Sequence, residues 1–214
     1  MKFFSYDGPI MSFLSKVADL LLLNLLTLVF SIPLITIGAA TTAAQYTALK
    51  IHREEGHVLS NFWRSFKMNL KQSTVLWLIF VAYCFVTIMV YTGYGKMDGG
   101  ISSAGRGILI VTGMYVAILY VWVFPLQSKF VNTIRATLKN AFFMSFRYFF
   151  RSLLMVIFNA LPVGLFVFVL FVLQLRGFPF WLMFGSSVPI YWSALLYDKI
   201  FEQLEDNWCT TREM

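Results

Sequence analysis

Few residues in this chain are placed to do chemistry. The densest titratable cluster is His52-Arg53-Glu54-Glu55-Gly56-His57. Two histidines and two acids could hold a metal or move protons, but the spacing matches neither zinc-protease pattern, so the segment reads as a solvated turn between helices. Cys84 lies in an apolar run and Cys209 in the polar C-terminal stretch. Nothing beside either lowers a thiol pKa, and two such cysteines make no disulfide framework or metal spacing. Asp19 is the acid that stands within an apolar run. An ionisable residue deep in a membrane is a functional candidate, but Asp19 lies near the start of its run, where the headgroup layer accounts for it. Asn24 lies about one turn deeper, and Asn159 and Gln174 lie in a later run. Such groups hydrogen-bond between helices at about 0.6 kcal/mol each, and are read as glue between helices. The sequence has no Walker A motif and no glycine-rich dinucleotide fingerprint. The expectation is a protein that is not an enzyme and uses no cofactor or metal.

The charges that do form a pattern are cations. One stretch, 50–72, carries Lys50, Arg53, Arg64, Lys67 and Lys71; another, 128–151, carries Lys129, Arg135, Lys139, Arg147 and Arg151 and no acid. In the first, helical spacing puts Phe62, Phe66 and Leu70 on one side with Trp63 beside them, and Arg64, Lys67 and Lys71 on an adjoining side. In the second, Val131, Ile134, Leu138 and Phe142 oppose Lys129, Asn132 and Lys139, with Arg135 at the border. This is the pattern of an interfacial helix, aromatic side down and basic side toward anionic headgroups. Two roles suit it: anchoring and lipid contact, or docking of a partner.

The elements that must position these residues are set by composition. Of 214 residues, 59% are hydrophobic and 13% charged, against about 25% charged in soluble domains, and the mean hydropathy is +0.73. An ordinary water-soluble enzyme is excluded. The net charge of +7 lies between apolar runs, so membrane orientation explains it and no nucleic-acid partner is expected. Crossing a bilayer takes about 20 apolar residues. Four charge-free runs qualify, at 73–93, 107–127, 152–175 and 177–197. A fifth, 17–51, holds Asp19 and Lys50 near its ends and Pro33 in its middle, and is too long for one straight crossing. Its small residues imitate a cleavage site only weakly, so the segment is read as retained rather than as a signal peptide.

The expected fold is an all-α polytopic membrane bundle with two cytoplasmic amphipathic basic helices and five transmembrane helices, or six if Pro33 makes a hairpin. The basic loops face the cytoplasm. The loops holding Lys96, Asp98 and Arg106, and Arg176, face out. A single domain, 1–200, is followed by a short cytoplasmic tail, 201–214. Val29-Phe30-Ser31-Ile32-Pro33-Leu34 resembles Val121-Trp122-Val123-Phe124-Pro125-Leu126, and Phe62-Trp63-Arg64-Ser65-Phe66-Lys67 resembles Phe142-Phe143-Met144-Ser145-Phe146-Arg147. The domain thus reads as two parallel repeats, about 17–93 and 107–175, with a last span at 177–197. Breakers at Pro162 with Gly164 and at 185–189 read as kinks that neighbouring helices repair.

Several segments together resemble the YesL family: Phe3-Phe4-Ser5-Tyr6-Asp7-Gly8-Pro9, Asp19-Leu20-Leu21, Ile32-Pro33-Leu34-Ile35-Thr36-Ile37-Gly38-Ala39, Ser60-Asn61-Phe62-Trp63-Arg64-Ser65-Phe66-Lys67-Met68-Asn69, Pro125-Leu126-Gln127-Ser128-Lys129-Phe130 and Leu138-Lys139-Asn140-Ala141. The resemblance implies a multi-pass protein of the bacterial cell membrane, encoded near carbohydrate ABC transporters and their regulators, and it supplies no catalytic or binding residues. The function expected is that of a non-enzymatic accessory or regulatory partner of such a transporter or its membrane sensor system. Its partners would be anionic lipid headgroups and a sugar permease or sensor kinase. The alternative is a small secondary transporter for an unidentified solute.

Overall fold

The computed structural model describes residues 9–94, 100–130, 132–171 and 185–212. Among these residues the chain is helical, with no strand. Seven α-helices follow in order: α1 (Pro9–Ser31), α2 (Ile37–His52), α3 (Val58–Tyr94), α4 (Gly100–Lys129), α5 (Ile134–Arg147), α6 (Phe149–Phe171) and α7 (Ser187–Arg212). The loop holding Lys96, Asp98, Gly95 and Gly99 lies outside the described residues, as do Val131, Gln174, Arg176 and the start of the expected 177–197 span.

Pro33 breaks the first long run because it has no N–H to donate and disfavours helix in the residue before it. One 3-10 turn, Leu34–Thr36, follows. Thr36 closes it: the Thr36 hydroxyl donates to Phe30 O (2.7 Å) and Pro33 O (2.8 Å), and the Thr36 N–H also donates to Pro33 O (2.8 Å). The chain then returns. Lys16, near the start of α1, pairs with Glu54, just past the end of α2, at 2.8 Å. Residues 17–51 therefore form an antiparallel hairpin of α1 and α2, of which α1 is long and apolar enough to cross a membrane.

α2 is the centre of the bundle and packs on α1, α3, α4 and α7. Eleven of its 16 residues are buried, among them Ala39, Ala40, Ala43, Ala44 and Ala48. Small side chains let backbones approach closely where lipid provides no hydrophobic drive between helices. Gly38 is the tightest point: a Cβ there would stand 2.3 Å from the Ser73 carbonyl oxygen of α3. Hydroxyl and indole groups then tie the pair, Thr42 Oγ1 to Ser73 Oγ (2.8 Å) and Trp77 Nε1 donating to Leu34 O (2.9 Å).

Three helices are long and apolar enough to cross a membrane, within Met11–Ser31, Val58–Tyr94 and Ser103–Lys129. The pair α5 and α6, bent by 106°, makes a fourth if taken as one span. Sequence runs 73–93 and 107–127 fall inside α3 and α4, and 152–171 inside α6. α3, at 37 residues, is about 55 Å long and exceeds a hydrocarbon core of about 30 Å. Its first turns, which carry Arg64, Lys67 and Lys71, are therefore continuous with the span, so the first of the two expected amphipathic basic helices is the start of α3 rather than a separate helix. α4 also runs unbroken through Pro125, the counterpart of Pro33 in the repeat. At the C-terminus, α7 runs on through residues 201–212, and Phe201 is fully buried, 5.3 Å from the Phe130 ring.

Candidate functional site

The basic residues singled out from sequence gather at one end of the bundle, the end that also carries the turn after α2. Arg64, Lys67, Lys71, Arg135, Lys139, Arg147 and Arg151 are all exposed, and none is in an ion pair among the described residues. Lys67 lies over the Trp63 ring at 4.6 Å, and Arg147 and Arg151 flank Tyr148 at 5.7 and 5.9 Å.

The apolar sides differ from the expected pattern. On α3, Phe62 and Phe66 do not face lipid. They pack into the core against Phe30, with ring centroids at 5.5 and 4.9 Å. On α5 the buried side is Thr137, Ala141, Met144 and Ser145, while Phe142, Phe143 and Phe146 are exposed, followed by exposed Phe149 and Phe150. Between α5 and α6, Tyr148 leaves helical backbone (φ −118°, ψ 43°). The result is an elbow that presents five phenylalanines beside four cations.

Arg64, Lys67 and Lys71 line a groove of about 480 Å³ between α3 and the end of α4, where Lys129 joins them. Gln127 is its structural hub. Its Nε2 donates to Gln72 Oε1 (2.6 Å) and Asn69 Oδ1 (3.4 Å), and its Oε1 accepts from the Thr137 hydroxyl (2.9 Å). One side chain thus joins α3, α4 and α5. No local sequence pattern reveals this, because Asn69 and Gln72 lie in one stretch, Gln127 in another and Thr137 beyond the end of α4.

Two of the three intramembrane polar candidates, Asn24 and Asn159, have hydrogen-bond partners on other helices. Asn24 is buried, and its Oδ1 accepts from the Ser186 N–H (2.9 Å), the Ser186 hydroxyl (2.5 Å) and the Ser187 N–H (3.2 Å). It caps α7 from another helix, satisfying N–H groups that a helix start leaves open. Asn159 Nδ2 donates to Ser193 Oγ (2.8 Å) and Met155 O (2.7 Å), joining α6 to α7. Asp19 is half-buried and lines a cleft of about 520 Å³ with Lys16, Lys50 and Glu54, between the start of α1 and the end of α2.

Residues 52–57 are more than a solvated turn. Arg53 Nε and Nη2 both donate to Asp198 Oδ1 (3.0 and 2.5 Å), and His52 Nε2 stands 3.4 Å from Asp198 Oδ2. The Asp198 side chain is 8% exposed and that of Arg53 21%, so this tie between the end of α2 and α7 is a largely buried ion pair. Glu54 holds a left-handed backbone (φ 57°), uncommon outside glycine, and reaches Lys16; Glu55 pairs with Lys50. The hydrogen bonds from Lys16 and Lys50 hold the Glu54 and Glu55 carboxyls below their ordinary value of 4.5. Sequence reading missed the Asp198 tie; the signal was Asp198 with Glu202, four residues apart on one helix face. Cys84 is a free, exposed thiol; the Cys209 side chain lies outside the description.

Long apolar helices, small residues at their contacts and cations at one end define a helical membrane protein. Residues 20–91 match the model of a family described as Protein of unknown function, DUF624, and the YesL-like naming is consistent with that family. No curated protein and no solved structure matches the chain.

Proposed function

We propose that the protein is a non-enzymatic accessory subunit in a bacterial cell membrane, docking through the α5–α6 elbow to a carbohydrate ABC permease or its membrane sensor kinase. The observation that carries this reading is the elbow: Phe142, Phe143, Phe146, Phe149 and Phe150 exposed beside Arg135, Lys139, Arg147 and Arg151, with no acid of the described chain paired to them. Aromatic and arginine side chains dominate the binding energy of protein interfaces, and this charge suits an acidic partner surface. The link to carbohydrate transport rests on the family resemblance.

The same reading sets a topology. α1 and α2 cross as a pair, α3, α4, α6 and α7 follow, and α5 lies in the interface, which makes six crossings. Both termini and the basic end are then cytoplasmic, as the distribution of lysine and arginine favours. In a background without native cysteines, Ser12→Cys should react with an impermeant thiol reagent only after permeabilisation, and Gly93→Cys should react in intact cells.

The test of docking is co-purification from the native membrane. Permease or sensor-kinase subunits should travel with the wild-type protein and be lost with Arg147→Glu/Arg151→Glu, which should insert with unchanged topology. Retention of the partner at wild-type yield leaves lipid anchoring as the account of the elbow. Saturable solute flux by the purified protein alone in vesicles would replace the accessory reading with that of a secondary transporter.

A further inference from the structure

The groove between α3 and the end of α4 is a different surface from the elbow, and its chemistry is narrower. Arg64, Lys67, Lys71 and Lys129 line it, and no aspartate or glutamate does among the described residues. Each of its side-chain amide oxygens already accepts a hydrogen bond from within the protein. Asn69 Oδ1 and Gln72 Oε1 accept from Gln127, and Gln127 Oε1 accepts from Thr137. What the groove offers a ligand is therefore hydrogen-bond donors and positive charge. A group with several acceptor oxygens and negative charge matches that, and arginine and lysine together are the residues that hold phosphate.

The surroundings choose the kind of phosphate. Trp63, Met68 and Leu70 are exposed around these cations. Beyond Lys71 the same helix is uncharged to its end, with Val75, Leu78, Ile79 and Val81 exposed. The border between the basic segment and the apolar one falls just past Lys71, and lysine and arginine near the end of a membrane helix reach the headgroup level. A free anion would use the cations and leave this apolar surface bare, whereas a phospholipid uses both, its phosphate among the cations and its chains along α3. We infer that the groove is a binding site for the phosphate headgroup of an anionic phospholipid. It stands apart from the partner docking proposed for the elbow.

The experiment uses the full chain in nanodiscs or mixed micelles, with phosphatidylglycerol, phosphatidylcholine and inorganic phosphate as probes, read by retention of lipid in native mass spectrometry. Phosphatidylglycerol should be retained over phosphatidylcholine. Each cation near an anionic surface contributes a factor of about five. Arg64→Gln/Lys67→Gln/Lys71→Gln should therefore lower phosphatidylglycerol retention about a hundredfold, while Lys199→Gln on α7, outside both the groove and the elbow, should leave it unchanged. All four positions are exposed, so both variants should fold; the thermal transition of each checks this. Equal loss in the two variants, or equal retention of the two lipids, would overturn the site. Displacement of the lipid by low millimolar inorganic phosphate would overturn the lipid assignment and make the groove a soluble-anion site. Loss of lipid in the α3 variant with the partner protein still co-purifying separates this site from the elbow.

Discussion

Residues 62–71 and 142–151 carry the same sequence pattern of aromatics and cations, yet α3 runs straight through the first while the chain turns through 106° within the second. In the first, Phe62 and Phe66 are buried because α1 brings Phe30 to them. In the second, Phe142 and Phe146 stay exposed, with Tyr115 and neighbouring phenylalanines as their ring partners, and the side of α5 that is buried bears Thr137, Ala141, Met144 and Ser145. An aromatic stripe states that a face wants to leave water. Whether a neighbouring helix, lipid or another protein covers it depends on what the rest of the chain delivers there.

The comparison breaks most clearly at the phenylalanines. Phe62→Ala empties a fully buried position and should cost about 3–5 kcal/mol. Phe146→Ala, at a position 61% exposed, should stay within about 0.5 kcal/mol. Unfolding in graded denaturing detergent measures both; equal costs would mean that the two aromatic faces are packed alike.

The cations separate by a smaller margin. Arg53→Ala leaves Asp198 buried without its main partner and should cost about 3 kcal/mol. Arg151→Ala on the elbow should change stability by less than about 0.5 kcal/mol. If the same assay gives Arg151→Ala the larger loss, the elbow is a structural joint rather than a free surface.

The smallest effect expected is with pH. The Glu54 and Glu55 carboxyls are held below 4.5 by Lys16 and Lys50. Their contribution is fully present above the ordinary value and is lost as pH falls through the lowered one. Both acids are exposed, so the loss is slight. Thermal unfolding of the wild type should weaken below pH 4.5 more than that of Glu54→Gln/Glu55→Gln, and the elbow, with no acid, should contribute nothing to the difference. Equal weakening in the double variant would remove these pairs from the account of the turn.

Much of the helical layout was legible from local pattern. The runs 73–93 and 107–127 lie within α3 and α4, Pro33 stops a helix, and the basic stretches sit at one end, because helix formation and apolar length are local properties. The partners of the polar residues were not legible. Asn24 reads as glue in sequence, but its role as the cap of α7 needs Ser186 and Ser187, over 160 positions away. Residues 52–57 read as solvated because Asp198, which binds Arg53, lies 145 positions away, just past the last expected span. The groove was legible only in part, since Lys129 belongs to the other basic stretch and Gln127 to the end of an apolar run.

Composition and residue order by themselves determined that the chain is helical, that it belongs in a membrane and that its cations collect in two stretches. Those outcomes follow from the cost of taking unpaired backbone groups and charges out of water, which each segment bears alone. Only the tertiary structure decided that residues 17–51 fold back as a hairpin with α2 at the centre, that α3 packs its aromatic face while α5 leaves its own open, and that Arg64, Lys67, Lys71 and Lys129 share one groove. These depend on which helices meet. In a bilayer that choice comes from close packing and paired polar groups such as Gly38 against Ser73 and Gln127 among Asn69, Gln72 and Thr137, interactions between residues that sequence order keeps apart.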